Sequence, residues 1–247
     1  MSFEGKTAIV TGAAGGMGLA ITRALLNEGA NVAGLDAQKI DALDDDQERF
    51  MRFKGSVADW LFVSRAIKEA QAEFGRIDYL VNVAGVLWFD RDVSVETIDL
   101  EVWNEVLSIN LTGCAHTVRA AVPLMKENGG AMVHFSTIQA LRGDDRPQDA
   151  YQASKAGLIA LSKSLAVQYA ANNIRSNCIL PGPTVSPMQA RWEENPDQLA
   201  ALESAIPLGR AGSVEDMANA CMFLLSDQAS FITGTELVVD GGLLALP

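Results

Sequence analysis

The chain has 247 residues, 49% of them hydrophobic and 20% charged, which is ordinary globular usage and enough to bury a sizeable core. Its 31 acidic residues outnumber its 19 basic residues, which gives a formal net charge of −12. This excess disfavours general binding to nucleic acids or to anionic membrane surfaces, because both need cations on the protein. Three cysteines far apart and two histidines predict neither a disulfide framework nor a metal site.

The N-terminal residues lack the features of a secretion signal, which are a basic start, a long apolar core and small residues at a cleavage site. No stretch approaches the roughly 20 apolar residues that a membrane-spanning helix needs. Together with the unpaired cysteines, these features predict a soluble protein of a reducing compartment, which we expect to be the cytoplasm.

Short β-branched segments alternate with longer segments of helical periodicity along the whole chain. We predict strands over Thr7–Thr11, Asn31–Asp36, Phe50–Lys54, Asp78–Val83, Ala131–Ser136, Ile174–Leu180 and Glu236–Val239. We predict helices over Met17–Asn27, Trp60–Phe74, Leu100–Lys126, Ala150–Ala171 and Val214–Leu225. Such alternation is typical of the α/β class, with a doubly wound, Rossmann-like parallel sheet of about seven strands and helices on both faces.

Two segments interrupt this alternation. Residues 41–49 are acidic and form a segment that is short for a crossover helix. Residues 181–207 contain five prolines and a polar stretch that includes Trp192. Long insertions in compact domains are usually lids or binding loops. We therefore predict a single domain over residues 1–247, with a substrate lid inserted at about residues 183–208.

A glycine-rich turn, Gly12-Ala-Ala-Gly-Gly-Met-Gly18, lies between the first predicted strand and the first predicted helix. Glycines let a backbone turn tightly and approach a diphosphate, and the helix N-terminus offers free N–H groups and the positive end of its dipole. We assign Gly12, Gly16, Met17 and Gly18 to the binding of a dinucleotide.

Asp36 ends the second predicted strand. A carboxylate at this place can accept hydrogen bonds from both hydroxyls of the adenosine ribose. It would also repel the 2′-phosphate of NADP, and the glycine turn contains no basic residue, so we predict NAD as the cofactor. Taken alone, Asp36 is equally well explained as a solvated carboxylate at a strand end.

The glycine turn is the first of six motifs that occur one after another along the chain. They are Thr11-Gly12-x-x-x-Gly16-x-Gly18, Asn82-Val-Ala-Gly85, Asn110 within Ile-Asn-Leu-Thr-Gly, Tyr151-Gln-Ala-Ser-Lys155, Pro181-Gly182 and Val239-Asp-Gly-Gly242. In this set the chain resembles the single-domain branch of the short-chain dehydrogenase/reductase family. The resemblance covers essentially the whole chain and implies a nicotinamide cofactor and a secondary alcohol or ketone as substrate.

The resemblance also implies further cofactor contacts. They are Ser56, Val57, Asn82, Ala84, Gly85, Tyr151, Lys155, Pro181, Gly182, Thr184 and Ser186. Among these, Ser56 stands where the family usually has an aspartate that binds adenine, so a contact with the adenine edge would be weaker here. Thr184 and Ser186 would bind the nicotinamide carboxamide.

Tyr151 and Lys155 are four residues apart on a predicted helix, so their side chains share a face. A free phenol has a pKa of about 10 and is a poor base at neutral pH. A nearby ammonium group and an oxidised nicotinamide ring favour the phenolate, which could take the proton of an alcohol. The pair by itself would also suit an ordinary amphipathic helix, so the prediction depends on the other motifs.

The resemblance assigns roles to three more polar residues. Lys155 would also bind the nicotinamide ribose, and Asn110 would hold a water that relays protons to it. The family has Ser-Ser at the end of the fifth strand, where this chain has Ser136-Thr137. We expect Thr137 or Ser136 to polarise the substrate oxygen, with Thr137 preferred, although either hydroxyl could instead satisfy a backbone group.

Substrate contacts are expected from the segment after Gly85, the loop 139–149 and the lid. The candidates are Leu87, Trp88, Gln139, Arg142, Met188 and Trp192. Arg142 and Arg146 can attract a carboxylate or a sulfonate. They can equally be solvated cations that the aspartates of the same loop balance.

These motifs predict an NAD-dependent oxidoreductase that acts on a secondary alcohol or ketone. The alternative from another class is a catalytically silent NAD(H)-binding protein that senses redox state, against which Asn110, Tyr151 and Lys155 argue. Sugar-nucleotide epimerases of the same superfamily are longer chains with an extra substrate domain. The resemblance further implies a homotetramer or homodimer, with the helices Leu100–Lys126 and Ala150–Ala171 at one interface.

Overall fold

The computed structural model describes residues 3–43 and 48–247, and its centre is a parallel sheet of seven strands. The strands are β1 (Thr7–Thr11), β2 (Asn31–Asp36), β3 (Phe50–Lys54), β4 (Tyr79–Asn82), β5 (Gly130–Phe135), β6 (Ile174–Pro181) and β7 (Glu236–Val239). Their order is β3-β2-β1-β4-β5-β6-β7, and every neighbouring pair is parallel. The predicted doubly wound sheet is confirmed, and each strand lies within one residue of its predicted bounds.

Helices cover both faces of this sheet. They are α1 (Gly16–Asn27), α2 (Trp60–Phe74), α3 (Leu100–Leu107), α4 (Gly113–Met125), α5 (Asp149–Tyr169), α6 (Arg191–Glu194), α7 (Pro196–Ala205) and α8 (Val214–Leu225). One apolar cluster joins α1 and α8 to the sheet, and a second joins α2, α4 and α5 to its other face. All five residues of β1 are buried, because a central parallel strand is covered from both sides.

The strand order reverses between β1 and β4, which are neighbours in the sheet although β2 and β3 separate them in sequence. At such a point the two chain connections leave toward opposite faces and open a crevice at the carboxyl ends of the strands. Gly12 follows β1 and Val83 follows β4, so both lie at this crevice.

Local sequence sets several helix ends. The Asp59 carboxylate accepts hydrogen bonds from two backbone N–H groups in the first turn of α2, and Gly75 ends that helix in the left-handed region. Ser213 and Asp216 form a reciprocal capping box at the start of α8. Each such cap stabilises its helix by about 1 kcal/mol, which explains why both helices have their predicted bounds.

The predicted helix over Leu100–Lys126 is interrupted by a π turn over Ser108–Thr112, which separates α3 from α4. The apolar periodicity continues across the interruption, so the sequence does not reveal it. The turn adds one residue to the helical path, and Asn110 within it contacts the backbone of Val86. The interruption therefore places a polar side chain against the segment that follows β4.

The proline-rich segment 183–208 holds α6, α7 and a short 3-10 turn over Pro187–Gln189. Backbone hydrogen bonds fix both of its ends, from Val185 to Gly212 at 2.9 Å and from Leu208 to Gly241 at 3.1 Å. Trp192 is buried with 5% of its surface exposed.

A helix can cross a membrane only when it is both long and apolar. Over residues 3–43 and 48–247, none of the helices combines the length and the apolar character that crossing a membrane would require.

Candidate active site

A cavity of about 1130 Å³ lies at the carboxyl ends of the strands. It extends from the glycine turn and Asp36 to the proline-rich segment. The predicted site residues on its wall are Gly12, Gly16, Met17, Asp36, Ala84, Gly85, Leu87, Ser136, Thr137, Gln139, Arg142, Arg146, Tyr151, Lys155, Pro181, Gly182, Thr184, Ser186, Met188 and Trp192. Six others, namely Gly18, Ser56, Val57, Asn82, Trp88 and Asn110, lie outside this wall.

The glycine turn is shaped by two close approaches. Gly12 has a φ of +72°, in the left-handed region that favours glycine, and its N–H donates to the Leu35 carbonyl at 2.8 Å. A Cβ on Gly18 would lie 2.1 Å from the Gly12 carbonyl oxygen. Gly18 therefore supports the turn from behind the wall, which explains why it is a glycine without lining the cavity.

The helix that follows this turn begins without a side-chain cap. Gly15 occupies the N-cap position, and no acidic residue stands in the first turn of α1. The first N–H groups of α1 therefore have no side-chain acceptor and point toward the cavity end of the helix. This arrangement suits a diphosphate, which would accept those N–H groups and lie at the positive end of the dipole.

Thr11 joins the ends of β1 and β4. Its hydroxyl oxygen accepts hydrogen bonds from the N–H groups of Val83 and Ala84, both at 3.1 Å. These contacts hold the segment before Gly85 against the glycine turn. The sequence motif includes Thr11, but this bridging role was not predicted because it depends on a contact across the sheet.

Asp36 lies at the end of the cavity next to the glycine turn. Its carboxylate accepts hydrogen bonds from the N–H groups of Ala14 at 3.0 Å and Gln38 at 2.8 Å. Lys39 also lines this end, where its ammonium pairs with the Asp41 carboxylate at 2.8 Å. One carboxylate and one neutralised cation thus border the place where an adenosine ribose would bind.

Ser56 and Val57, whose predicted contacts with the cofactor stay predictions, lie outside the wall of the large cavity. Ser56 is exposed, and its hydroxyl accepts a hydrogen bond from the N–H of Ala58 at 3.2 Å. Val57 is buried and lines a smaller cavity behind the wall. The turn after β3 uses both residues to lead into α2, so neither side chain reaches the large cavity.

The Asn82 side chain, whose cofactor contact stays a prediction, is hydrogen-bonded within the protein. Its amide nitrogen lies 3.2 Å from His134 Nδ1, and its amide oxygen accepts a hydrogen bond from the Thr117 hydroxyl at 2.7 Å. Burial lowers the pKa of His134 to about 4, so this imidazole is neutral at physiological pH. Asn82 therefore connects β4, β5 and α4 beneath the cavity and does not line it.

Tyr151 enters the cavity from the first turn of α5, which a buried carboxylate holds in place. Asp92 is fully buried and accepts hydrogen bonds from the N–H groups of Ala150 at 3.0 Å and Tyr151 at 2.8 Å. This cap fixes the backbone of the tyrosine. Sequence reasoning missed Asp92, because it lies 59 residues before Tyr151 and belongs to no motif.

The Tyr151 phenol is buried, and burial raises its pKa to about 12. A hydrogen bond with the neighbouring Thr137 side chain lowers the pKa of this phenol. The Lys155 ammonium lies 5.8 Å from the centre of the tyrosine ring and donates to the Phe135 carbonyl at 2.7 Å. Burial lowers the pKa of Lys155 to about 8, so proton exchange at this amine is accessible near neutral pH.

Gly85 lies between Lys155 and Asn110. A Cβ on Gly85 would be 3.2 Å from both the lysine Nζ and the asparagine Oδ1. The Asn110 amide accepts a hydrogen bond from the Val86 N–H at 2.8 Å and donates to the Ser154 hydroxyl at 3.1 Å. Asn110 is therefore next to Lys155 but on the far side of Gly85, which is why it does not line the large cavity.

The two hydroxyls after β5 differ in what they contact. The Ser136 hydroxyl donates to the Lys155 carbonyl at 2.8 Å. The Thr137 hydroxyl accepts a 3.3 Å hydrogen bond from the Gln139 N–H, and its side chain is hydrogen-bonded to the Tyr151 phenol, whose pKa it lowers. Thr137 is thus better placed than Ser136 to meet a substrate oxygen.

Two neighbouring aromatic residues of the segment after Gly85 have different surroundings. Trp88 packs in an apolar cluster with Ile98 and Val102, and the Arg91 guanidinium lies 4.5 Å from the centre of its ring. Phe89, which belongs to the same segment, lines the cavity. The substrate contact of Trp88 stays a prediction.

The proline-rich segment supplies residues that sequence reasoning missed. They are Gln189, Arg191, Gln198 and Leu202. The Arg191 guanidinium lies 3.8 Å from the centre of the Phe89 ring. Nowhere in the described parts of the chain do three or more histidine, cysteine, aspartate or glutamate side chains come together as they would around a metal ion.

Comparison with known proteins shows one relationship along almost the whole chain. A family model described as enoyl-(acyl carrier protein) reductase matches residues 12–244. A 3-oxoacyl-[acyl-carrier-protein] reductase of Thermotoga maritima is 36% identical over 251 residues, which cover 99% of this chain and 100% of that protein. A D-threitol dehydrogenase of Mycolicibacterium smegmatis is 38% identical, and the match covers 97% of this chain and 93% of that protein.

Solved structures agree with these sequence relatives. The ligand-free aldohexose dehydrogenase of Thermoplasma acidophilum superimposes with a TM-score of 0.90 at 30% sequence identity. The match covers 99% of this chain and 96% of that one. The relatives thus share the whole fold, and the activities in their names are oxidations or reductions.

Proposed function

Because the chain belongs to the short-chain dehydrogenase/reductase family, we propose that it is an NAD-dependent oxidoreductase that interconverts a secondary alcohol and its ketone. One observation carries the proposal: Tyr151 and Lys155 line the same cavity as the glycine turn and Asp36. Proton transfer and nucleotide binding can therefore take place side by side. The relatives named after threitol and aldohexose make a small hydroxylated substrate plausible here.

The residues present fit a dinucleotide. The glycine turn is compact because Cβ atoms on Gly12 and Gly18 would meet backbone atoms, and the start of α1 offers uncapped N–H groups for a diphosphate. Asp36 would accept hydrogen bonds from the ribose hydroxyls and disfavour a 2′-phosphate, which supports NAD. At the opposite end, Gly182 and Thr184 border the space for a nicotinamide. When bound, the nicotinamide accepts a hydride from the alcohol carbon or returns it to the ketone.

Tyr151 would act as the general acid and base at the substrate oxygen. Its raised pKa keeps the phenol protonated in the free protein, so it is ready to donate to a ketone. Removing a proton from an alcohol requires the pKa to fall from about 12 to about 7, which corresponds to about 7 kcal/mol. Positive charge near the phenol, of which Lys155 supplies a part, lowers that cost.

Thr137 would donate a hydrogen bond to the same substrate oxygen, while Lys155 would bind the ribose and exchange protons with water near Asn110. The segment 183–208 would act as a lid, since Met188, Arg191 and Trp192 cover the cavity. A homotetramer is a further proposal, supported by the exposed Val167 on α5. The buried free thiols of Cys114, Cys178 and Cys221 support a reducing, cytoplasmic location.

A panel of secondary alcohols tests the proposed function. Purified protein is incubated with each alcohol and NAD, and with NADP in parallel, while NADH or NADPH absorbance is followed. We expect reduction of NAD by at least one alcohol. Tight NAD binding without turnover of any alcohol or ketone would instead favour the catalytically silent redox sensor.

A further inference from the structure

Three arginines line the lid side of the cavity, although the chain as a whole is strongly acidic. Arg142 and Arg146 belong to the loop after β5, and Arg191 begins α6. Among the ion pairs that the described residues form, none involves these three side chains. This wall therefore carries cations that no carboxylate of the described chain neutralises by direct contact.

Arg191 is held rigidly in this wall. Its guanidinium stacks over Phe89, and its Nε donates to the Gln189 side chain at 3.1 Å. Burial lowers the pKa of Arg191, the positive charge of Arg146 lowers it further, and Asp144 acts against both. The positive charges of exposed Arg146 and partly buried Arg191 thus repel each other, and an anion bound between them would reduce that repulsion.

Two acidic residues of the same wall reduce this charge without cancelling it. Asp144 and Asp145 also line the cavity, so among the side chains that the structure describes on this wall three cations face two carboxylates. The Asp144 carboxylate accepts hydrogen bonds from the Gln139 side chain and from the Arg146 N–H, and its negative charge also acts on Arg142 and Arg191. The guanidinium of Arg191 keeps its remaining donors for a ligand.

We propose that the substrate carries an anionic oxygen group, a carboxylate or a sulfonate, which Arg191 and Arg146 bind while its alcohol faces Tyr151. A guanidinium can donate two parallel hydrogen bonds to such a group, which also orients the molecule. Phe89, Trp192 and Leu202 supply an apolar wall for the carbons between the two ends. The proposal deepens the function given above and rests on it for the position of the alcohol.

Binding of non-reactive probes tests the anion site separately from catalysis. Butyrate, propane-1-sulfonate and 1-butanol are each titrated into the protein, with and without saturating NADH, and binding is measured by calorimetry. We expect both anions to bind about tenfold or more tightly than the neutral alcohol, because charge-assisted hydrogen bonds are formed. R191Q and R146Q should each weaken anion binding about tenfold and leave 1-butanol unaffected.

R119Q is the matched control. Arg119 also stacks over an aromatic ring, that of Trp60 at 4.5 Å, but it lies outside the cavity wall. Equal binding of anions and alcohol, or an equal loss in R119Q and R191Q, would overturn the anion site. In a turnover arm, 3-hydroxybutyrate is compared with 1,3-butanediol. Probe binding without any turnover would reject the dehydrogenase function and keep the anion site, so the two failures are distinguishable.

Discussion

The Ser136 hydroxyl and the Lys155 backbone carbonyl are joined by a buried hydrogen bond of 2.8 Å. This bond fastens the end of β5 to the middle of α5, one turn after Tyr151. The serine hydrogen is thus used by the protein, whereas the next hydroxyl along the chain, that of Thr137, lies beside the Tyr151 phenol on the cavity wall. If the proposed function holds, Ser136 has a positioning role and Thr137 meets the substrate oxygen.

Substitution of these two residues should have different consequences. T137V removes a donor to the substrate oxygen and should lower kcat/KM by roughly a hundredfold. S136A removes a buried hydrogen bond and should lower the free energy of unfolding by about 1 kcal/mol, with a smaller effect on kcat/KM. Steady-state kinetics and urea unfolding of both variants measure the two effects. A larger kinetic loss in S136A would reverse the assignment.

Tyr151→Phe should abolish most turnover while NAD affinity stays nearly unchanged. The substitution removes only the phenolic oxygen, and general acid–base groups contribute roughly 10² to 10⁴-fold to rates. Single-turnover kinetics give the rate, and fluorescence titration with NADH gives the affinity. Lys163→Gln is the matched control on α5, because Lys163 pairs with Glu236 outside the cavity. Substantial turnover in the phenylalanine variant would show that another group transfers the proton.

Asp36→Ala should narrow the preference for NADH over NADPH. Hydrogen bonds from ribose hydroxyls to a carboxylate contribute about 1.5–3 kcal/mol, so NADH should bind roughly tenfold more weakly or worse. Dissociation constants for both cofactors are measured in the wild type, in this variant and in Lys39→Gln. If the wild type prefers NADPH and Lys39→Gln removes that preference, Lys39 rather than Asp36 determines the choice.

Gly18→Ala and Gly15→Ala form a pair that tests the glycine turn. The new Cβ at position 18 would lie 2.1 Å from the Gly12 carbonyl oxygen, whereas at position 15 the nearest atom is 4.0 Å away. We expect Gly18→Ala to lose roughly 1–3 kcal/mol of stability or more, together with most NADH affinity, since backbone must move. Gly15→Ala should retain its stability in thermal unfolding, because its nearest new neighbour would be Pro187 at 4.0 Å. Similar losses of stability in the two variants would refute this account of the turn.

Stability should fall as the pH is lowered from 6.5 toward 4, because His134 is buried and neutral. Its folded pKa of about 4 lies below the ordinary value of 6.5, so the unfolded chain binds the proton first. The free energy of unfolding should drop by up to about 1.4 kcal/mol per pH unit in this window. Above pH 6.5 the contribution of neutral His134 to stability is complete.

Urea unfolding between pH 5 and 7 measures this dependence. His134→Gln should flatten it, whatever its effect on stability at pH 7. Ser176→Ala removes the partner of His134 Nε2 but keeps the imidazole, so it should lower stability without removing the slope. An unchanged slope in His134→Gln would show that other groups cause the pH dependence.

The sequence by itself determined the sheet and the order of its elements. Strands such as β1 and helices such as α2 and α8 depend on contacts between near neighbours, on β-branched runs, on caps and on glycines. The glycine turn and the pair Tyr151 and Lys155 were found in the same way, because fixed spacing on one helix or turn places their atoms together. These features need no knowledge of distant residues.

The tertiary structure alone decided which side chains reach the cavity. Asp92 caps α5 from 59 residues away, Arg191 meets Phe89 across the lid, and Asn82 turns to His134 rather than to the cavity. Each of these contacts joins segments that are remote in the chain and leaves no periodic signal in it. Long-range packing selects among several hydrogen-bond partners that are equally possible locally, and it does so only once the sheet has brought the strand ends together.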